Sequence, residues 1–291
     1  MSGCALCGRP LDDAATIGTT SRHGHPSRRV ACLQCSLVQV SPQPTQQALA
    51  TFYESHAYRS EHGPVPITVG GLAGQRTYHP NDGDYVDALI KMGRYRAGWA
   101  WEHAGLVPGM RLLEIGSGDG YTLAEFAKRG LDCTGVEPDK EEAKLSATRC
   151  PTNAKVIAAG FAEAPYEPPY DVIVSYHVLE HLGDPLSALR AWQELLTPRG
   201  ALVIEVPNIL APSLPVDTKH FQWVHLFDFS EHTLRASLMV AGFEVLEMAC
   251  NGGNLRTVSR PAATSEPYDM PHGGAYVEGW LDAIRSLGES T

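Results

Sequence analysis

A chain of 291 residues, 43% hydrophobic and 19% charged, can bury a large core and reads as one large domain plus something smaller, or as two domains. Its formal charge of −10 comes without any run of Lys or Arg, which argues against a nucleic-acid substrate, because affinity for a phosphate backbone needs clustered cations. The opening MSGCALCGRP lacks the apolar stretch of a signal peptide, and no segment approaches the roughly 18 uninterrupted apolar residues of a spanning helix. A cytoplasmic protein without a membrane partner is expected, in which seven cysteines serve as thiols or metal ligands rather than disulfides.

The first ordered feature is a pair of CxxC motifs. Cys4 and Cys7 form one, Cys32 and Cys35 the other, with 24 residues between them. Each is a knuckle offering two thiolates, and together they fit one tetrahedral zinc ion. The alternation in RRVACLQCSLVQV suits a strand leading into the second knuckle, so residues 1–42 are expected to form a zinc ribbon. Four cysteines close the shell, which assigns this zinc to folding and leaves His23 and His25 as polar loop residues. Residues 43–105 then hold a proline-marked linker, a short helix over Gln46 to Tyr53, and a Gly-, Pro- and His-rich stretch from Glu61 to Asp84 without clear period, expected to be a mobile cover over the substrate. From Asp84 to Gly105 the spacing of Val86, Leu89, Ile90 and Tyr95 predicts a helix with Asp84 as its cap.

At Leu112 to Gly120 the sequence LLEIGSGDG breaks an apolar run into glycines and passes into YTLAEFAKRG, which predicts strand, tight turn and helix. Gly116, Gly118 and Gly120 let a ligand approach the backbone, with Tyr121 following them. A second apolar strand ends in Glu137 and Pro138, where an acid accepts hydrogen bonds from two ribose hydroxyls. The dinucleotide fingerprint GxGxxG would need glycine where Tyr121 stands, which disfavours NAD. Glu114, two residues before the first glycine, is badly placed beside a pyrophosphate and well placed to meet an ammonium group.

With Glu114, the GxGxG turn and Glu137, the chain resembles the class I S-adenosylmethionine (SAM)-dependent methyltransferases. The resemblance implies SAM as cofactor and a seven-stranded Rossmann-like α/β sheet over residues 106–260, preceded by the small N-terminal zinc ribbon. The two CxxC pairs, the strand and prolines after them and a tyrosine-containing segment before the glycine turn narrow the resemblance to bacterial sugar C-methyltransferases acting on nucleotide-linked deoxysugars, and to related natural-product methyltransferases. In such proteins Tyr53 and Tyr58 would lie near cofactor or substrate. Relatives carry an acid after the glycine of the adenine site, whereas this chain has Phe161; Phe161 stacking on the ring, a backbone bond from Ala162 and Glu163 as substitute acceptor are the expected replacements.

Downstream, a helix over Lys140 to Arg149, a strand near Lys155 to Ala158 and a strand over Tyr170 to Ser175 are predicted. Ligands sit at the carboxyl ends of such strands, which here deliver Ser175 to the cofactor and Tyr176 and His177 to the chemistry, with His177 the first candidate base. Glu180 and His181 follow. Some quinone-pathway O-methyltransferases use acids and a histidine there for a divalent ion, but His177 replaces a further acid, so a structural role is expected for the Glu–His pair. A helix over Leu186 to Leu196, a turn at Thr197 to Gly200 and the strand ALVIEVPN come next. The following loop carries His220, Phe221, Trp223, His225 and Phe227, and His225 is the second candidate base. A helix at Ser230 to Ala241, strands at Phe243 to Ala249 and Leu255 to Val258, and a bend at Gly252 and Gly253 complete the sheet, and the tail 261–291 ends in a helical GWLDAIRSL that would dock on the body or on a second subunit of a homodimer. The expected function is methyl transfer to O or C of a small hydroxylated metabolite, a sugar or nucleotide sugar. An aromatic or natural-product scaffold is the second reading, and a non-catalytic SAM-binding regulatory module the third.

Overall fold

The structure, a computed structural model, describes residues 3–20, 26–55, 67–69, 76–211, 221–251, 253–262, 279 and 282. His23, His25, Tyr58, residues 61–66 and 70–75 of the 61–84 stretch, His220, Gly252 and nearly all of the GWLDAIRSL segment lie outside them. The elements in chain order are β1 (Ala15–Thr20), β2 (Pro26–Ala31), β3 (Val38–Val40), α1 (Gln46–Glu54), β4 (Ile67–Val69), β5 (Arg76–Tyr78), α2 (Tyr85–His103), β6 (Arg111–Ile115), α3 (Tyr121–Lys128), β7 (Asp132–Glu137), α4 (Lys140–Arg149) and β8 (Ala154–Ala158). They continue as β9 (Tyr170–Tyr176), a single 3-10 turn at Leu179–His181, α5 (Pro185–Leu195), β10 (Leu196–Pro207), β11 (Phe227–Asp228), α6 (Glu231–Val240), β12 (Phe243–Asn251) and β13 (Asn254–Pro261).

Seven strands form one mixed sheet in the order β12-β13-β10-β9-β6-β7-β8. Chain contacts divide the molecule into two compact units, residues 45–176 with 195–204, and residues 1–44 with 177–194 and 205–291. In the first unit β6 pairs in parallel with both β7 and β9, and β7 with β8. Strands buried on both faces need continuous apolar runs, and β9 supplies one in Val172, Ile173 and Val174, all fully buried. The apolar face expected for α2 is corrected by the structure. The helix buries Ala88, Gly93, Ala97 and Ala100, while Val86 is 55% exposed. Small residues face inward because α2 packs tightly on the start of α3, where a Cβ on Gly93 would stand 2.6 Å from the Tyr121 carbonyl oxygen. Asp84 occupies the N-cap position of α2, but with ψ near 13° its side chain makes no cap bond, whereas Asp139 caps α4 through the amides of Glu141 and Glu142.

Within the 61–84 stretch, β4 and β5 form an antiparallel hairpin, an element without a signal in that Gly- and Pro-rich sequence. The turn expected at Thr197–Gly200 is instead the opening of the long strand β10. In the second unit, β1, β2, β3 and β11 make a four-stranded antiparallel sheet, and β12 pairs antiparallel with β13. The fourth strand of this sheet is thus contributed from far along the chain, with Phe227 opposite Gln39 and Asp228 opposite Val38. Ala31, Val38, Ile209 and Phe221 form the core beneath it.

Gly120 caps α3 in the left-handed region, φ 84°, and a Cβ there would stand 2.7 Å from Cα of Ser146 on α4. Strain and overpacking therefore act together in Gly120→Ala, which is expected to lose about 2–5 kcal/mol in urea unfolding. A loss under about 1 kcal/mol would show that the two helices do not meet this closely.

Candidate cofactor, metal and proton-transfer sites

Between β6 and α3 the backbone turns through Gly116 (φ 73°) and Gly118 (φ 51°) into Gly120, conformations that side-chain-bearing residues rarely adopt. The Gly118 amide donates to Glu137 Oε2 at 2.8 Å and the Asp139 amide to Glu137 Oε1 at 3.0 Å, which fixes the carboxylate at the end of β7. A carboxylate oxygen can accept from a hydroxyl as well as from an amide. Pro138 follows directly, and Asp139 begins the cap of α4.

Glu114 is 3% exposed, and its Oε2 is buried without a hydrogen-bond partner. Burial raises its pKa to about 8; Arg96 opposes the rise, and Asp119 and Glu137 add to it. A buried orphan carboxyl oxygen beside a side-chain-free turn, with a second carboxylate 23 residues on, fits a ligand that carries both a cation and a ribose. The ring of Tyr121 lies under the Arg149 guanidinium at 3.8 Å. Ser175 is buried with its Oγ unpartnered, and Tyr176 lies beneath Arg96, 4.8 Å from guanidinium carbon to ring centroid. Phe161 and Ala162 lie in the turn after β8, where the Tyr166 hydroxyl donates to the Phe161 carbonyl.

Cys4, Cys7, Cys32 and Cys35 come together with all four sulfurs within 4.8 Å of one another. Cys4 Sγ lies 3.4 Å from Cys35 Sγ and Cys7 Sγ 3.5 Å from Cys32 Sγ, and all four are free thiols. Tetrahedral zinc with Zn–S bonds of about 2.3 Å sets sulfurs roughly 3.8 Å apart, so the cluster has the size of a four-thiolate zinc site.

His177, the residue after β9, adopts φ 57° and stands between two buried carboxylates, with Nδ1 3.4 Å from Glu180 Oε1 and Nε2 3.3 Å from Glu205 Oε1. Burial disfavours its charge, but Glu180 and Glu205 outweigh that and raise its pKa to about 9. Arg256 completes the chain by donating to Glu205 Oε2. At neutral pH the ring is therefore an imidazolium, with no lone pair left to take a proton. His181 is the opposite case. Its Nδ1 lies 3.0 Å from the Val224 carbonyl, which can only accept, so in the neutral ring the proton sits on Nδ1 and not on Nε2, which lies 4.0 Å from Glu180 Oε1. Burial lowers its pKa, with Glu180 and Val224 opposing. The His225 ring meets it edge-on at 4.6 Å, and donor atoms of Glu180, His181 and His225 lie within 4.8 Å of one another. Phe221 and Phe227 of the same loop are buried. Glu205 and Arg256 were not singled out from the sequence, where the available signal is one acid inside ALVIEVPN and the first of two arginines in LRTVSR.

Parallel strands around a glycine turn with Glu137 at the end of the next strand define a nucleoside-binding α/β protein of Rossmann type. Residues 94–248 match the family described as a methyltransferase domain, and the chain belongs to that family, whose members use SAM. It is 31% identical over 128 residues to the ubiquinone biosynthesis O-methyltransferase of Acinetobacter baylyi, covering 41% of this chain and 53% of that protein. Identity to the corresponding protein of Aeromonas salmonicida is 33% over 125 residues, 41% of this chain and 52% of the relative. The chain thus spans about half the length of the curated relatives it matches. In fold it is similar to the 1,6-didemethyltoxoflavin-N1-methyltransferase of Burkholderia thailandensis, solved with its substrate and S-adenosylhomocysteine, at TM-score 0.55, 18% identity, and 80% and 98% coverage of the two chains.

Proposed function

We propose that this protein moves the methyl group of SAM to a hydroxyl oxygen of a small metabolite, and that His181 and His225 take up the proton released. The observation that carries the reading is the tautomer of His181, fixed by the Val224 carbonyl so that a buried, neutral imidazole offers Nε2. Methyl transfer is an in-line displacement at a carbon already activated by a positive sulfur, so the protein must align the acceptor and remove its proton. A neutral histidine suits the second task. His177, held as a cation between two glutamates, serves in this reading to orient Glu180 and Glu205. Tyr176, directly before it, would help to place the acceptor. Toward SAM, Glu114 would take the ammonium, Glu137 the ribose and the glycine turn the close backbone approach, with Tyr121, Pro138, Phe161, Ala162 and Ser175 around it. The four cysteines would hold one structural zinc ion.

Two acceptor classes remain in the reading. A sugar or nucleotide sugar follows from the order of motifs, and a hydroxylated ring follows from the names of the relatives, which also favour oxygen over carbon as the acceptor atom. Incubating the protein with SAM and parallel panels of nucleotide sugars and catechols, with detection of S-adenosylhomocysteine, separates them. With the acceptor so found, His181→Asn and His225→Asn are expected to lower turnover by about 10²–10⁴-fold with SAM affinity unchanged. Unaltered turnover in both variants would remove the histidine proposal.

A further inference from the structure

The ribbon sheet contains one arginine that a hairpin around a metal does not require. Arg29, in β2, is fully buried, and burying a guanidinium is costly unless its donors are satisfied. Its Nε donates to Asp228 Oδ2 at 3.0 Å, Nη1 to Ser27 Oγ at 2.9 Å, and Nη2 to the carbonyls of Gln222 and His225, the latter at 2.9 Å. The guanidinium carbon also lies 4.4 Å from the centroid of the Phe221 ring. Apart from Ser27, every one of these partners falls between Phe221 and Asp228, the stretch that carries His225. The same stretch is held by backbone bonds, with Val40 donating to the Leu226 carbonyl, Leu226 donating to the Glu180 carbonyl, and β11 paired to β3.

We infer that Arg29 is a positioning residue for His225: the planar guanidinium spans two carbonyls and a carboxylate, and so sets where the His225 ring meets His181. The inference rests on the proton-transfer reading of that pair. Lysine could not replace the arginine, because three donors on one nitrogen cannot reach partners on both sides of the fork. The ribbon then acts as a platform on which the histidine loop is set, and its role extends beyond holding its own fold together.

The test uses the full chain labelled with ¹⁵N-histidine, with resonances assigned from His181→Asn and His225→Asn. Ring–ring cross-relaxation between His181 and His225 and the ring nitrogen shifts of His225 report its placement. In Arg29→Lys the cross-peak is expected to vanish and the His225 nitrogen resonances to move, with SAM affinity by calorimetry unchanged. Ser27→Ala, which removes one hydroxyl and keeps the charge, is expected to shift the same resonances in the same direction by less. A folded Arg29→Lys protein with the cross-peak and shifts intact overturns the inference; if that variant does not fold, unchanged shifts in Ser27→Ala overturn it. Loss of the cross-peak in Arg29→Lys together with full turnover in His225→Asn would keep the positioning role and remove the proton-transfer role, so the two fail separately.

Discussion

Cys32→Ser is expected to produce a protein that no longer binds one zinc ion per chain and that melts its N-terminal sheet well before the rest. The four sulfurs already stand at the spacing of a tetrahedral site, and Cys32 is 1% exposed, so a hydroxyl there replaces a buried thiolate ligand without another donor to substitute. Metal binding and folding are one free energy in such sites, about 10–16 kcal/mol for zinc-finger peptides near neutral pH. Losing one ligand of four leaves only part of it. The consequence reaches past the knuckles, because Cys32 and Leu37 close the turn between β2 and β3 and β3 carries β11. Zinc content by mass spectrometry of the purified protein and thermal unfolding with and without a chelator decide the matter. Wild-type protein that carries no metal, and unfolds in the same single transition in both conditions, would sink the zinc assignment.

What the sequence showed, and what it hid, divides along distance in the chain. The glycine turn was legible because its strand, bend and helix are consecutive, and Glu137 lies at the end of the strand paired in register beside it, with Ile115 opposite Val136. The Cys pairs were legible because their spacing is itself the signal. Arg29 was not, since the carboxylate that explains it is 199 residues away, and in sequence it is one more cation before an apolar run. The histidines show the same limit in their chemistry. His177 read as the first candidate base and His181 as half of a structural Glu–His pair, and only the fold reveals that one stands between two carboxylates while the other donates to a carbonyl. The apolar face of α2 misled for a local reason: the stripe of larger side chains is the more exposed one, and Gly93 and the alanines let the helix approach Tyr121.

Binding of SAM should depend on pH in a way that Glu114 dictates. Burial, opposed in part by Arg96, raises this carboxyl from 4.5 to about 8, so the ligand-free protein holds it protonated at pH 7. The folded-state value lies above the unfolded one; the stability linked to this proton is therefore complete below pH 4.5 and is lost as pH rises toward 8. An ammonium group placed against the orphan Oε2 reverses the preference and favours the ionised form, so binding below pH 8 must expel a proton. Affinity then rises with pH by up to about tenfold per unit until the carboxyl is ionised without help. Above that the ligand's own amine, with a pKa of about 8 like other α-amino groups, loses its charge, and affinity falls again. The expected profile is a bell with its maximum near pH 8. Glu114→Gln removes the rising limb and lowers affinity at the maximum by about 10²–10³-fold, the scale of removing one partner of a buried ion pair. Calorimetry at pH 6.5 in two buffers of different ionisation enthalpy should count close to one released proton for the native protein and none for the variant. Equal heats in the two buffers for the native protein would mean that this carboxyl does not meet the cofactor's charge.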